Sequence, residues 1–160
     1  MHRPLLARIL LFVLAWPAFL LGVWATLAPR NWYEHFPGVG QSWIAIDGSY
    51  NQHLIRDVGA LNLALVVVTI VALVKLDPLL VRTTAAAWLV YSVPHLLYHA
   101  THTDPYDTGD LFAALGGLAL DVVVPIVLLL LARPERGPGR RSGDRPGDRS
   151  DDRSDELSAP

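Results

Sequence analysis

Four apolar stretches constrain this chain more than any motif in it. Arg8 and Arg30 bracket 21 residues with no formal charge, Asp57 and Lys75 bracket 17, and Arg82 and Asp104 bracket 21. A fourth stretch, Leu111 to Ala132, runs for 22 residues and is broken only by Asp121. About 20 apolar residues carry a helix across a hydrocarbon core of about 30 Å. Three stretches meet that length directly. The second meets it by extension through Leu54 and Ile55, because Arg56 and Asp57 can reach back to the interface. The β-branched run from Val66 to Val71 is no obstacle, since a helix satisfies its own backbone groups where no water is available. A soluble four-helix bundle is the competing reading, and it requires a polar stripe on each helix. Ile9 to Leu14 and Ile126 to Leu131 are apolar right round the helix and offer none.

The expected fold is therefore all-α: a polytopic membrane protein with four transmembrane helices in one bundle, over about 8–29, 54–75, 82–102 and 110–132. A transmembrane domain then covers 1–132, with an interfacial loop at 30–53 and a tail at 133–160. The formal charge of −2, from 13 Lys+Arg and 15 Asp+Glu, conceals this division. Seven arginines and seven acids lie in the tail, which is rich in Gly, Ser and Pro and is expected to be disordered. The rest of the chain falls far below the roughly 25% charged residues of ordinary globular domains. No basic face for nucleic acid is present. The absence of cysteine excludes disulfide scaffolds, Cys-ligated zinc and thiol catalysis. Neither a phosphate-binding glycine loop nor a GxSxG elbow occurs.

Orientation follows the distribution of Lys and Arg. With the N-terminus inside, Arg3, Arg8, Lys75 and Arg82 lie on the cytoplasmic side and only Arg30 and Arg56 outside. Both termini are then cytoplasmic, and the protein is a multi-pass protein of the cell membrane. The run after Arg3 and Arg8 is longer than a signal-peptide core and has no obvious cleavage site, so the first helix is read as uncleaved. Trp24, Trp32, Tyr33, Phe36, Trp43 and Tyr50 cluster at the outer end of the first helix and in the loop, where amphipathic rings favour the headgroup level. That loop is expected to form an interfacial cap with one short helix. Anchoring alone accounts for its aromatics.

The third stretch ends Pro94-His95-Leu96-Leu97-Tyr98-His99-Ala100-Thr101-His102. Its three histidines stand at i, i+4 and i+7 and share a helical face flanked by Tyr91 and Tyr98. His53 and Asp57 are also four apart, and Asp104, Asp107 and Asp110 mark an acidic outer mouth. If the helices are short-loop neighbours, these groups converge in one outer layer. His95, His99, His102 and Asp57 are candidate ligands for zinc or non-haem iron. His53, His95 and His99 are candidate haem ligands. The HxxxHxxH spacing lacks the glutamate of the zincin signature. A plain inter-helix hydrogen-bond network explains the same residues without any cofactor.

Asp121 lies near the middle of the fourth stretch. A charge at that depth costs at least about 2.5 kcal/mol, so it must be neutral, paired or facing a wet cavity. Asp110 and Asp121 fall within about 20° on the helix circle, which suggests a polar seam running inward. Asn62, Tyr91 and Ser92 are candidate neighbours, and one buried bond to Asn62, Tyr91 or a backbone carbonyl freed by Pro94 or Pro125 is the bland alternative. Pro17, Pro94 and Pro125 each interrupt a span. Gly109, Gly116 and Gly117 are expected to let the fourth helix approach a neighbour.

The segments Tyr50-Asn51-Gln52-His53-Leu54-Ile55-Arg56-Asp57-Val58-Gly59-Ala60 and Pro94-His95-Leu96-Leu97-Tyr98-His99 resemble a family of uncharacterised small integral membrane proteins of actinobacteria. The resemblance covers roughly residues 5 to 132. It implies a four-helix membrane fold, draws attention to His53, Arg56, Asp57, His95 and His99, and implies no activity. Three functions stay open: a His/Asp-lined outer-leaflet site for metal or haem, an accessory subunit binding a partner protein or lipid, and a proton-coupled transporter using Asp121. The last requires a homo-oligomer, because four helices are few for a carrier.

Overall fold

The computed structural model describes residues 2–38, 40, 42–104 and 106–132. The tail expected to be disordered lies outside them. The described chain is helical: α1 (His2–Leu27), α2 (Pro29–His35), α3 (Trp43–Asp47), α4 (Gln52–Lys75), α5 (Pro78–Thr101) and α6 (Thr108–Leu131). Three of these, α1, α4 and α6, are long and apolar enough to cross a membrane. Helix α5 has the same 24 residues as α4 and α6. It is more polar, because Arg82, Thr83, Thr84, Ser92 and three histidines fall in or beside it.

Local chemistry sets the boundaries. Asn51 caps α4 by accepting from the Leu54 amide at 3.1 Å. Asp77 caps α5 by accepting from Leu79 and Leu80 at 2.9 and 3.0 Å, with Pro78 in the first turn. Such caps satisfy amides that the helix itself leaves unpaired. Leu76 adopts a left-handed conformation (φ 50°) and closes α4, so a two-residue turn joins α4 to α5. The interfacial loop holds two short helices rather than one. Pro29 starts α2 immediately after α1 ends, and the Trp24 indole ties the two by donating to Asn31 Oδ1 at 2.8 Å.

Helix α1 packs chiefly on α4 and α5 on α6, while α4–α5 and α1–α6 contacts close a ring with empty diagonals. The α1–α4 crossing is set by two glycines. A Cβ on Gly22 would meet Leu63 Cγ at 2.9 Å and the Gly59 carbonyl at 3.0 Å. One on Gly59 would meet the Thr26 amide nitrogen at 2.8 Å. Small residues allow this backbone approach where burial of apolar surface gives no net drive between helices. The expected role of the α6 glycines is not realised: beside Gly116 and Gly117 the space is open, and Gly109 lies near only its own Asp107.

The main core occupies the half of the ring near the termini. It joins Leu11, Leu14 and Ala18 to Leu65, Val66, Ala72, Val81, Ala85, Trp88, Val124 and Leu128. Trp88 donates from Nε1 to Thr69 Oγ1 at 2.9 Å, and Thr69 donates to the Leu65 carbonyl at 2.6 Å. At the other end Ala25, Trp32 and Ile55 form a second cluster, covered by Trp24, Tyr33, Phe36, Ile44 and Tyr50. The aromatic loop residues therefore pack as a cap over α1 and α4. Outward, the helices present large apolar side chains: Phe12, Val67, Val90 and Phe112 are 56%, 62%, 77% and 74% exposed. Soluble monomers rarely carry an apolar exterior on this scale.

Candidate functional site

Asn62, His95 and His99 lie on the half of the ring that the main core leaves free, whereas Thr69 and Thr84 are buried within that core. Asn62 on α4 is buried at 3% exposure. Its amide donates to the Val58 carbonyl at 2.9 Å and to Tyr91 Oη on α5 at 3.3 Å. This is one of two hydrogen-bonded rungs between α4 and α5, the other being Thr69–Trp88. Neither Asn62 nor Tyr91 is bonded to Asp121, although Asp121 on α6 is near enough to act electrostatically on Tyr91. The half-buried Asp121 carboxylate has no hydrogen-bond donor among the described residues. The expected buried bond to Asn62 or Tyr91 is therefore absent; the Asn62 amide is spent on the Val58 carbonyl and Tyr91 Oη instead.

From Tyr91 the rings of α5 continue toward the cap. Tyr91 and His95 meet edge to face with centroids 5.5 Å apart, and His95 and His99 follow at 5.0 Å. Both histidines are half-buried. Pro94 and the i, i+4 spacing put them on one side of the helix, as the sequence indicates. His102 leaves this line. It lies beyond the last turn of α5, stacks on the exposed ring of Tyr98 at 4.3 Å, and its Nδ1 sits 2.9 Å from the Tyr98 carbonyl. A carbonyl only accepts, so His102 carries its proton on Nδ1 there.

Tyr106, between α5 and α6, completes the line. Its hydroxyl lies 3.5 Å from His99 Nδ1 and donates to the Trp43 carbonyl of α3 at 3.3 Å. Asp47, the last residue of α3, acts electrostatically on His95, His99 and Tyr106 alike. Burial first, then the Asp47 carboxylate and the Tyr98 phenol, push the Tyr106 hydroxyl up to about 12. Tyr106 therefore remains a protonated donor throughout the neutral range.

The expected single cluster resolves into separate groups. His53 and Asp57 pair with each other at 3.3 Å on the exposed side of α4, with side chains 89% and 61% exposed. Asp107 is occupied in capping α6, where it accepts from the Asp110 amide at 2.9 Å. Asp104 is exposed and Asp110 half-buried in the first turn of α6. Among the described residues no three His, Asp or Glu side chains stand close enough to hold a metal ion. His95, His99, His102 and Asp57 thus do not form one ligand set; of the candidate haem ligands, His53 is paired with Asp57 on the exposed side of α4, whereas His95 and His99 are half-buried on α5.

Sequence reasoning missed Asp47, Tyr106, Thr69 and Trp88. Asp47 stands in the turn-like run Asp47-Gly48-Ser49, and Tyr106 in the short connection between Asp104 and Asp107. Their one available signal was position: Asp47 is the sole acid in the otherwise apolar segment from Trp43. No family model, curated protein or solved structure matches this chain.

Proposed function

We propose that the chain is a multi-pass membrane protein with four spans and both termini inside, and that α5 and α6 carry a protonatable track from the outer face to Asp121. Support for α5 as the fourth span comes from its neighbours. It is held between α4 and α6, so a bilayer containing those two also surrounds it. At about 1.5 Å per residue it is about 36 Å long, and it turns Leu79, Val90 and Leu97 outward at 73%, 77% and 60% exposure. Acyl chains are the partner for that surface. The excess of Lys and Arg at the termini end supports an inside position for that end.

The observation that carries the functional reading is the succession Tyr91, His95, His99 and Tyr106, each within one ring of the next, rising from the level of Asp121 to the cap. Imidazole takes up a proton on one nitrogen and releases one from the other. Single water molecules bridge gaps of this size between polar groups. An unpaired carboxylate within a span is expensive to retain and marks ion and proton pathways elsewhere. The track suits a proton-coupled transporter better than a metal or haem centre, because its groups run in a line instead of converging on a point.

The test is proton movement. Purified protein in lipid vesicles, with a pH-sensitive dye inside, should collapse an imposed pH gradient. Asp121→Asn should abolish that activity and His95→Phe should reduce it about 100-fold or more, the scale of losing one positioned acid–base group. Equal rates in wild type and Asp121→Asn would exclude the reading.

A further inference from the structure

We propose that the Tyr106–Trp43 contact is a latch that holds the α3 side of the cap over the His95–His99 pair, so that its opening admits water to the outer end of the track. The inference rests on the proposed position of that track but not on proton movement along it.

By helix packing the cap rests on one half of the bundle. Helix α2 packs on α1 and α4, α3 packs on α2, and neither helix packs on α5 or α6. The fastening on that side is extensive. Trp32 is 5% exposed within the second cluster, and Tyr33 donates to the Gly48 carbonyl at 2.8 Å. Across the ring, the bond from Tyr106 Oη to the Trp43 carbonyl joins residues 63 apart in the chain and ties the cap to the α5–α6 half. The same hydroxyl faces His99 Nδ1, and the Tyr106 ring lies 6.0 Å from the His99 ring. With its proton given to Trp43, the Tyr106 oxygen is an acceptor for His99 Nδ1–H, which leaves Nε2 of His99 as the unprotonated nitrogen.

Closure is marginal by construction. The latch is a single bond of 3.3 Å, at the long end of the hydroxyl range. On the same residue, Trp43 Nε1 is buried with no hydrogen-bond partner among the described residues. A buried donor left unmade penalises the closed arrangement, and water reaching it on opening removes that penalty. The two states therefore differ by little, as a switching contact requires. Asp47 sits on the moving helix, so opening also withdraws its negative charge from His95 and His99.

The chain lacks cysteine, so single-cysteine variants report one site each. His95→Cys in full-length protein in lipid vesicles is labelled with a membrane-impermeant maleimide, in the native background and with Tyr106→Phe or Tyr106→Ala. Ile55→Cys, beneath the α2 side of the cap, is labelled in parallel. Both Tyr106 variants should speed labelling at position 95 several-fold, up to about tenfold, the range of one hydrogen bond, while position 55 stays protected. Unchanged labelling at position 95 in both backgrounds overturns the latch. So does equal acceleration at 95 and 55, which makes Tyr106 a general stability contact. Proton flux is not read here, so failure of the latch and failure of the track are separately visible.

Discussion

At the residue scale the site depends on which side chains are left without partners. Asp121 stands out in the sequence because its depth in an apolar run makes any charge costly. Its neighbours do not stand out. Asn62 and Tyr91 bond to each other, and Thr69 to Trp88, through the α4–α5 crossing, which no local pattern encodes. Tyr106 offers a direct check. Its ordinary value is 10.0, and burial with Asp47, Tyr98 and the rest of its surroundings raises it to about 12. The folded chain favours the neutral phenol, so that contribution is complete below pH about 10 and is lost as pH rises through about 12. The groups facing it are Asp47 on α3 and His99 and Tyr98 on α5. Alkaline titration of absorbance near 295 nm should show a phenol component with a midpoint near 12 that is absent from Tyr106→Phe. Stability in detergent should fall between those two pH values more steeply in wild type than in that variant.

At the element scale, the lengths of the long helices were legible and their contacts were not. Charge-free stretches locate α4, α5 and α6 to within four residues at each end, whereas α1 begins at His2, six residues before the expected start. The ends move because Asn51, Asp77 and Asp107 act as caps, and Asp107 therefore serves helix geometry as well as the acidic mouth. Glycine was misassigned in a way that explains itself. Gly116 and Gly117 are adjacent and conspicuous, yet they face open space, whereas Gly22 and Gly59, isolated in different helices, meet at the crossing. Only the antiparallel register of α1 and α4 brings them together. Gly59→Ala should cost about 3 kcal/mol, the upper end of overpacking, because its Cβ meets the Thr26 amide nitrogen and the Gly22 carbonyl as well as the Thr26 hydroxyl. Gly116→Ala should leave stability unchanged or raise it by less than about 1 kcal/mol. Unfolding of both variants in mixed micelles with a denaturing detergent checks the contrast.

At the scale of the whole molecule, an asymmetric bundle emerges. The half near the termini is apolar and closed around Trp88, Leu11 and Leu128. The other half carries the ring succession of α5, the unpaired carboxylate of α6 and a cap fastened mainly to α1 and α4. Composition anticipates an apolar, outward-facing exterior, but not this division, which depends on how the helices are ordered round the ring. Everything proposed for the track requires α5 to cross the bilayer with its histidine end outside. Asp77 and Asp104 flank that helix, so Asp77→Cys and Asp104→Cys in the cysteine-free chain test the crossing directly. A membrane-impermeant maleimide applied to intact cells should label position 104, and should label position 77 only after permeabilisation. Labelling of both positions from outside, or of position 77 alone, contradicts a spanning α5 in this orientation.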